Sequence, residues 1–291
     1  MRRKGFRGRY RDLMKHMKAE KGPYAIYFIL RALVIVTMIA QFFNKNYENV
    51  FLCILTLVLF ILPSIFELKF KVDLPDTMEV VILLFIFAAE ILGEIQEFYI
   101  IFPFWDDMLH TINGFLAAAI GFSLIDLFNR SKRLSFHLSP FFVAMFAFCF
   151  SMTIGVLWEF FEFFMDTVFM FDMQKDTILT SISTVTLDPL GRNKPVIINE
   201  IYDMSINGES LGLGGYLDIG LYDTMKDLIV NFVGALTFSI IGYFYIKRRG
   251  KGKVAKHFIP RVKMKDNVKE VFTEDGSCTE DLDSKPTLSD D

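Results

Sequence analysis

The sequence predicts an all-α, polytopic membrane protein: a bundle of about six transmembrane helices with both termini in the cytoplasm. Three observations predict it. Of the 291 residues, 53% are hydrophobic and 33 are Phe, and the mean hydropathy is +0.38. Several apolar runs reach the roughly 20 residues that cross a hydrocarbon core about 30 Å thick. Basic residues gather in alternate loops, as the positive-inside rule expects of a chain that threads back and forth.

The chain starts with a basic segment over residues 1–23, carrying Arg2, Arg3, Lys4, Arg7, Arg9, Arg11, Lys15, Lys18 and Lys21. That charge holds it in the cytoplasm. The membrane domain is expected over 24–246. Its first span, about 24–43, is too long for a signal-peptide core and reads as an uncleaved anchor. Arg31 lies inside it and can snorkel toward the cytoplasmic face. The second span is about 49–66, followed by Lys69 and Lys71 and the turn-like Asp73-Leu74-Pro75-Asp76. The third, about 77–99, carries Glu90, Glu94 and Glu97, which share one face if the helix is regular.

A fourth span over about 106–128 ends at Arg130, Lys132 and Arg133. Pro140 suits a first helical turn and opens the fifth span, about 140–167. Residues 171–221 make the one sizeable polar loop, on the extracytoplasmic side. Within it, 180–186 alternates like a strand, Asp188-Pro189-Leu190-Gly191 reads as a turn and 195–198 as a returning strand, a β-hairpin. The sixth span, about 222–246, stops at Lys247, Arg248, Arg249 and Lys251. Residues 247–291 then form a cytoplasmic tail, first basic and then acidic, with the composition of a disordered segment at its end. The formal net charge of −3 conceals this asymmetry. Cys53, Cys149 and Cys278 have no metal-knuckle or CxxC spacing and are assigned no role.

With this topology the unusual polar groups fall at one level of the membrane. Glu90 and Glu94 lie in the outer half of span three. Asp106, Asp107 and His110 open span four, and Glu159, Glu162 and Asp166 close the outer end of span five. Asp223, Asp227 and Asn231 form an i, i+4, i+8 stripe in span six. Ionisable groups inside membrane segments are costly and point to function. Clustered acids in a low dielectric repel unless a cation, protons or basic partners join them. Besides His110, Lys226 is the one basic residue of these stretches.

The pattern therefore predicts a divalent cation of unspecified identity, held by Asp107, His110, Glu159, Glu162 and Asp227, with His110 or Glu159 as general base. Glu90, Glu94, Asp106, Asp166, Asp223 and Asn231 complete the polar cluster. Acids at helix starts also cap backbone N–H groups, an equally good account of Asp106 and Asp223 alone. Asp166 can simply sit in headgroup water. Trp105-Asp106-Asp107-Met108-Leu109-His110 and Tyr222-Asp223-Thr224-Met225-Lys226-Asp227 share a frame that would set His110 and Asp227 at matching depths.

Three motifs carry a resemblance. Asp107-x-x-His110 with Gly114, Trp158-Glu159-x-x-Glu162-x-x-x-Asp166, and Asp223-x-x-x-Asp227-x-x-x-Asn231-x-x-Gly234-Ala235 resemble the YjdF-like (DUF2238) bacterial inner-membrane proteins. More distantly they are similar to VanZ-like proteins, which carry a like Asp-x-x-His and Asp-x-x-x-Asn pair. The likeness covers about 97–245 and implies a multi-pass protein of the bacterial cytoplasmic membrane with a polar cluster. It implies no reaction.

Three functions remain open on these residues. One is a metal-dependent enzyme acting on an envelope lipid or lipid-linked substrate. Another is a proton- or cation-coupled transporter, and the third is a non-catalytic membrane module. The signatures of CDP-alcohol phosphotransferases, lipid phosphatases and intramembrane CAAX-type proteases are absent, and there is no nucleotide or haem signal. Membrane lipid is the expected partner. Nothing points to nucleic acid, and no feature specifies an oligomeric state.

Overall fold

The computed structural model describes residues 21–70, 72–129, 138–248, 254–259 and 261–262. The basic N-terminal segment, the basic loop at 130–133 and the acidic tail lie outside the described residues. The fold is mostly helical. Among the described residues five helices are long and apolar enough to cross a membrane: Ala25–Phe43, Tyr47–Lys69, Trp105–Ile125, Pro140–Phe169 and Leu221–Lys247.

The chain opens with α1 (Lys21–Phe43), α2 (Tyr47–Leu59) and α3 (Leu62–Phe70). Asn46 starts α2 by accepting the Asn49 N–H at 3.1 Å, which satisfies one of the donors every helix start leaves open. A short strand β1 (Val72–Asp73) follows, then α4 (Asp76–Phe87).

Here the structure departs from the regular helix expected over 77–99. The chain changes to π winding over Ala88–Ile95, unwinds at Gln96, and passes through Glu97 in the left-handed region (φ 59°) into the single turn α5 (Phe98–Ile101). The i→i+5 bonding of a π segment alters the angular step, so Glu90, Glu94 and Glu97 do not form one stripe. The change leaves the Ala88 carbonyl free to accept the Trp105 indole N–H at 3.3 Å.

Three long helices complete the bundle: α6 (Trp105–Asn129), α7 (Pro140–Phe169) and α8 (Leu221–Lys247). Each packs against the other two, and α6 is the most enclosed of the membrane-length helices. Pro140 begins α7 behind the Ser139 cap, whose hydroxyl accepts the Phe142 N–H at 3.2 Å. Met170, left-handed at φ 57°, ends it.

Between α7 and α8 the loop is built from short antiparallel pairs. β2 (Thr177–Leu179) pairs with β7 (Tyr216–Asp218) at the base and brings the two ends of the loop together. β3 (Ile182–Thr184) pairs with β4 (Val196–Ile198), with Ile182 opposite Ile198. β5 (Ser205–Ile206) and β6 (Glu209–Ser210) join through Asn207-Gly208, both at positive φ, the backbone a tight two-residue hairpin requires. At the other end of the bundle, β8 (Arg261–Val262) pairs with β1, Val262 opposite Val72.

Two cores hold this together. One joins α1, α2, α4 and the π segment through Leu30, Val34, Cys53, Leu83 and Ile91. The other lies among α6, α7 and α8, with Phe122, Val143, Ala147 and Phe238 at its centre. Ala255 and Ile259, beyond the last long helix, fold back into it beside Leu74 and Met78. The outer faces of the helices carry exposed Phe and Ile side chains, among them Phe28, Phe51, Phe141, Phe160 and Phe163. That is the surface a lipid-facing bundle presents.

Candidate metal centre

Small residues let α6, α7 and α8 approach closely at one level, and Asn231 of α8 fills the space they leave. A Cβ on Gly114 would lie 2.9 Å from the Asn231 Oδ1, and one on Gly155 would lie 2.5 Å from its Nδ2. Ser151 of α7 ties α6 by donating to the Gly114 carbonyl at 2.7 Å. This junction is the floor of the site.

One turn above it, in a layer bounded by the loop, four side chains converge. His110 (7% exposed), Glu159 (4%), Glu162 (7%) and Asp227 (1%) are all buried. Each can offer an atom so that all four lie within 4.8 Å of one another. The His110 Nδ1 is 3.7 Å from a Glu159 oxygen, and its Nε2 is 3.7 Å from Asp227 and 3.6 Å from Asp106. These separations exceed normal hydrogen bonds. They suit ligands ranged around an ion, since opposite ligands of an octahedral ion at about 2.1 Å stand about 4.2 Å apart.

The carboxylate oxygens have almost nothing else to do. The Trp158 indole donates to Glu162 Oε1 at 2.8 Å. Both oxygens of Glu159, both of Asp227, the second oxygen of Glu162 and the Asn231 Oδ1 have no hydrogen-bond partner. A buried, unpartnered carboxylate costs several kcal/mol in such a setting. So many aimed at one point fit a divalent cation bound by oxygens and one imidazole nitrogen.

The remaining candidates divide. Asp106 and Asp223, half-buried, form a second group with Asp227, again within 4.8 Å. Asp107 stands apart: Lys226 reaches it at 2.8 Å, so its charge is answered within the protein. Asp166 is a loop anchor, accepting the N–H groups of Met173 and Gln174 at 2.7 and 2.8 Å. Asp223 does the same with one oxygen, for the Lys175 N–H at 2.7 Å. Glu90 and Glu94, on the π segment, belong to neither group.

Several contributors escaped the reading from residue types. Trp158 orients Glu162. Gln174 is buried in the loop and donates to the Thr224 hydroxyl. Ser151 and Gly155 continue the Glu159–Glu162 face inward. A signal for the last two was present: Ser151, Gly155, Glu159 and Glu162 recur at i, i+4, i+8 and i+11, one face of an α-helix.

No curated protein and no solved structure matches the chain. The family model described as "Predicted membrane protein (DUF2238)" matches residues 26–248. That range contains every residue of the cluster and, but for Ala25, the five membrane-length helices of the described residues, and the chain belongs to the DUF2238 family of predicted membrane proteins.

Proposed function

We propose that this chain is a multi-pass protein of the bacterial cytoplasmic membrane and a metal-dependent enzyme that acts on an envelope lipid or lipid-linked substrate at the extracytoplasmic face. The observation that carries the reading is the convergence of His110, Glu159, Glu162 and Asp227 with nearly all their carboxylate oxygens unpartnered. An ion there would polarise a substrate oxygen and supply bound water as nucleophile near neutral pH. Glu159 or His110 would accept the proton of that water.

The site's surroundings favour this over transport. Beneath Asn231 the space between α6 and α8 is filled by aromatic rings. Phe115 and Phe238 meet edge to face at 5.1 Å, and Phe238 and Phe122 at 6.0 Å, the last two fully buried. Alternating access needs polar groups and broken helices on both sides of a central site. Here the buried ionisable groups stop above Asn231, and inward of it the buried polar side chains on α6 and α8 are the hydroxyls of Ser123 and Ser239 beside the aromatic plug. The break at 88–95 lies on the acidic side of the molecule, where it serves Trp105 and Tyr99 rather than an inward path.

Topology follows from parity within this proposal. The β1–β8 pairing puts residues 72–73 and 261–262 at the same end of the bundle. Three membrane-length helices, α6, α7 and α8, lie between them. An odd number of crossings cannot return the chain to one side, so residues 76–95 are the fourth crossing. That makes six in all, with both ends of the chain in the cytoplasm beside Lys69 and Lys247.

Elemental mass spectrometry of the detergent-purified protein tests the reading. Wild type is expected to hold a divalent metal near stoichiometry, and His110→Ala and Asp227→Asn to lose it while remaining monodisperse. Hydrolysis of lipid-linked phosphates by the metal-loaded protein would follow. Folded wild type with no metal, even after incubation with Mn²⁺ or Mg²⁺, would sink the proposal.

A further inference from the structure

Asp227 belongs to two groups at once. It belongs both to the set His110, Glu159, Glu162 and to the set Asp106, Asp223. Its two oxygens are both without a hydrogen-bond partner, and the residue is 1% exposed. A carboxylate has two oxygens, enough to serve both sets. Asp106 stands close to the first set as well, its Oδ1 lying 3.6 Å from the His110 Nε2. Asp223 gives one oxygen to the Lys175 N–H and keeps the other.

Charge makes the same demand. Asp106, Asp223, Asp227, Glu159 and Glu162 are five carboxylates around one imidazole. The nearest lysine on these helices, Lys226, is engaged by Asp107, and the ammonium of Lys175 in the loop donates to the Asp172 carbonyl. One divalent ion would leave much of that charge unanswered, with Asp227, Glu159 and Glu162 all buried, which is costly.

We propose that Asp227 bridges a pair of divalent cations, an inner ion held by His110, Glu159 and Glu162 and an outer ion held by Asp106 and Asp223. The inner ion is the one proposed above, so this inference rests on that reading. A bridging carboxylate sets two ions about 3.5–4 Å apart, the spacing that clamps both the attacking and the leaving oxygen of a phosphoryl group. The substrate class is accordingly a phosphate ester or phosphoanhydride on a lipid. In its hydrolysis, water would form a new P–O bond as the P–O bond to the lipid breaks. The water's proton would pass through Glu159 or His110 to the leaving oxygen, and no electrons are exchanged. The outer ion lies on the side of the loop, where Asp106 and Asp223 are half-buried and a headgroup can approach.

The test is Mn²⁺ titration of chelator-stripped, detergent-purified protein, followed by metal analysis and electron paramagnetic resonance. Wild type is expected to take up about two ions per chain with an exchange-coupled spectrum, as a bridged pair requires. Asp106→Asn and Asp223→Asn are each expected to retain one ion with the spectrum of an isolated Mn²⁺. Unlike Asp223, Asp106 accepts no loop N–H among the described residues, so Asp106→Asn decides the matter if Asp223→Asn loses its fold. Inorganic phosphate is expected to perturb the coupled spectrum. A single ion in wild type, unchanged by Asp106→Asn, overturns the pair and leaves the inner site standing. Two uncoupled ions overturn the bridge, and a coupled pair indifferent to phosphate overturns the substrate class. No bound ion at all removes both this inference and the function it rests on.

Discussion

At the scale of single residues the site is a set of like charges held together against their own repulsion. Glu159 is the sharpest case, buried with neither oxygen paired and facing the His110 ring at 3.7 Å. Such a group is a liability to the fold unless the proposed ion occupies the layer, because its charge is neither hydrated nor hydrogen-bonded. Glu159→Gln should therefore melt at a higher temperature than wild type when chelator is present, by roughly 2–4 °C for each kcal/mol gained. Wild type should overtake it once Mn²⁺ is added, since saturation at about 100 Kd contributes about 2.7 kcal/mol. Thermal scans of both proteins with and without Mn²⁺ check this. A variant less stable than wild type in chelator would mean that Glu159 is a structural group. Residue types alone singled out His110, Glu159, Glu162 and Asp227, which the fold buries together, because an acid in an apolar run is conspicuous. They did not separate Asp107 from that set, since its pairing with Lys226 depends on how α6 and α8 are rotated against each other. Nor did they distinguish Asp166 as a backbone acceptor, because its partners, Met173 and Gln174, lie in a loop with no periodicity to read.

At the scale of elements, two devices position the cluster. The first is the close junction of α6, α7 and α8 on Gly114, Gly155 and Asn231. Gly155→Ala would drive a methyl against the Asn231 amide, 2.5 Å away. Overpacking of this kind costs about 1–3 kcal/mol. The variant should melt correspondingly lower and bind Mn²⁺ more weakly, because moving Asn231 moves Asp227 one turn above it. Unchanged melting and affinity would show that the junction is slack. The second device is the strap over 171–176, tied to α7 by Asp166 and to α8 by Asp223 and Thr224. Asp166→Ala removes the acceptor of two N–H groups. It should speed protease cleavage within 171–176 while leaving the metal content intact, as mass spectrometry of the digest would show. Equal cleavage in both proteins would mean that the β2–β7 pairing alone holds the strap. Helix existence was legible throughout from apolar run length. The π winding at 88–95 was not, because Ala88 to Ile95 reads as ordinary helix. Its cause is tertiary, with Trp105 taking the Ala88 carbonyl and the Tyr99 ring lying over Gly93.

At the scale of the whole molecule, the parity of the crossings decides which side each end faces. Charge runs at alternate loops predicted about six crossings, yet among the described residues five helices satisfy length and apolarity. The segment that fails is 76–95, and it fails because its winding changes partway rather than because it is polar. The pairing of Val72 with Val262 supplies what composition lacks, a contact between a loop early in the chain and a segment near its end. The packing of Ala255 and Ile259 against Leu74 and Met78 repeats that contact through side chains. If 76–95 crosses, single cysteines at Asp73 and at Phe104, on either side of it, must lie on opposite faces of the membrane. Both positions are exposed. In a background with Cys53, Cys149 and Cys278 replaced by serine, a membrane-impermeant maleimide applied to intact cells should label Phe104→Cys. It should reach Asp73→Cys only after the membrane is opened. A cysteine pair at Val72 and Val262 should cross-link in the same preparations, as their pairing requires. Labelling of both single variants in intact cells would mean that 76–95 dips into the membrane and returns. The three crossings that follow would then set 261–262 on the opposite side from 72–73, and the cross-link would be lost with the parity.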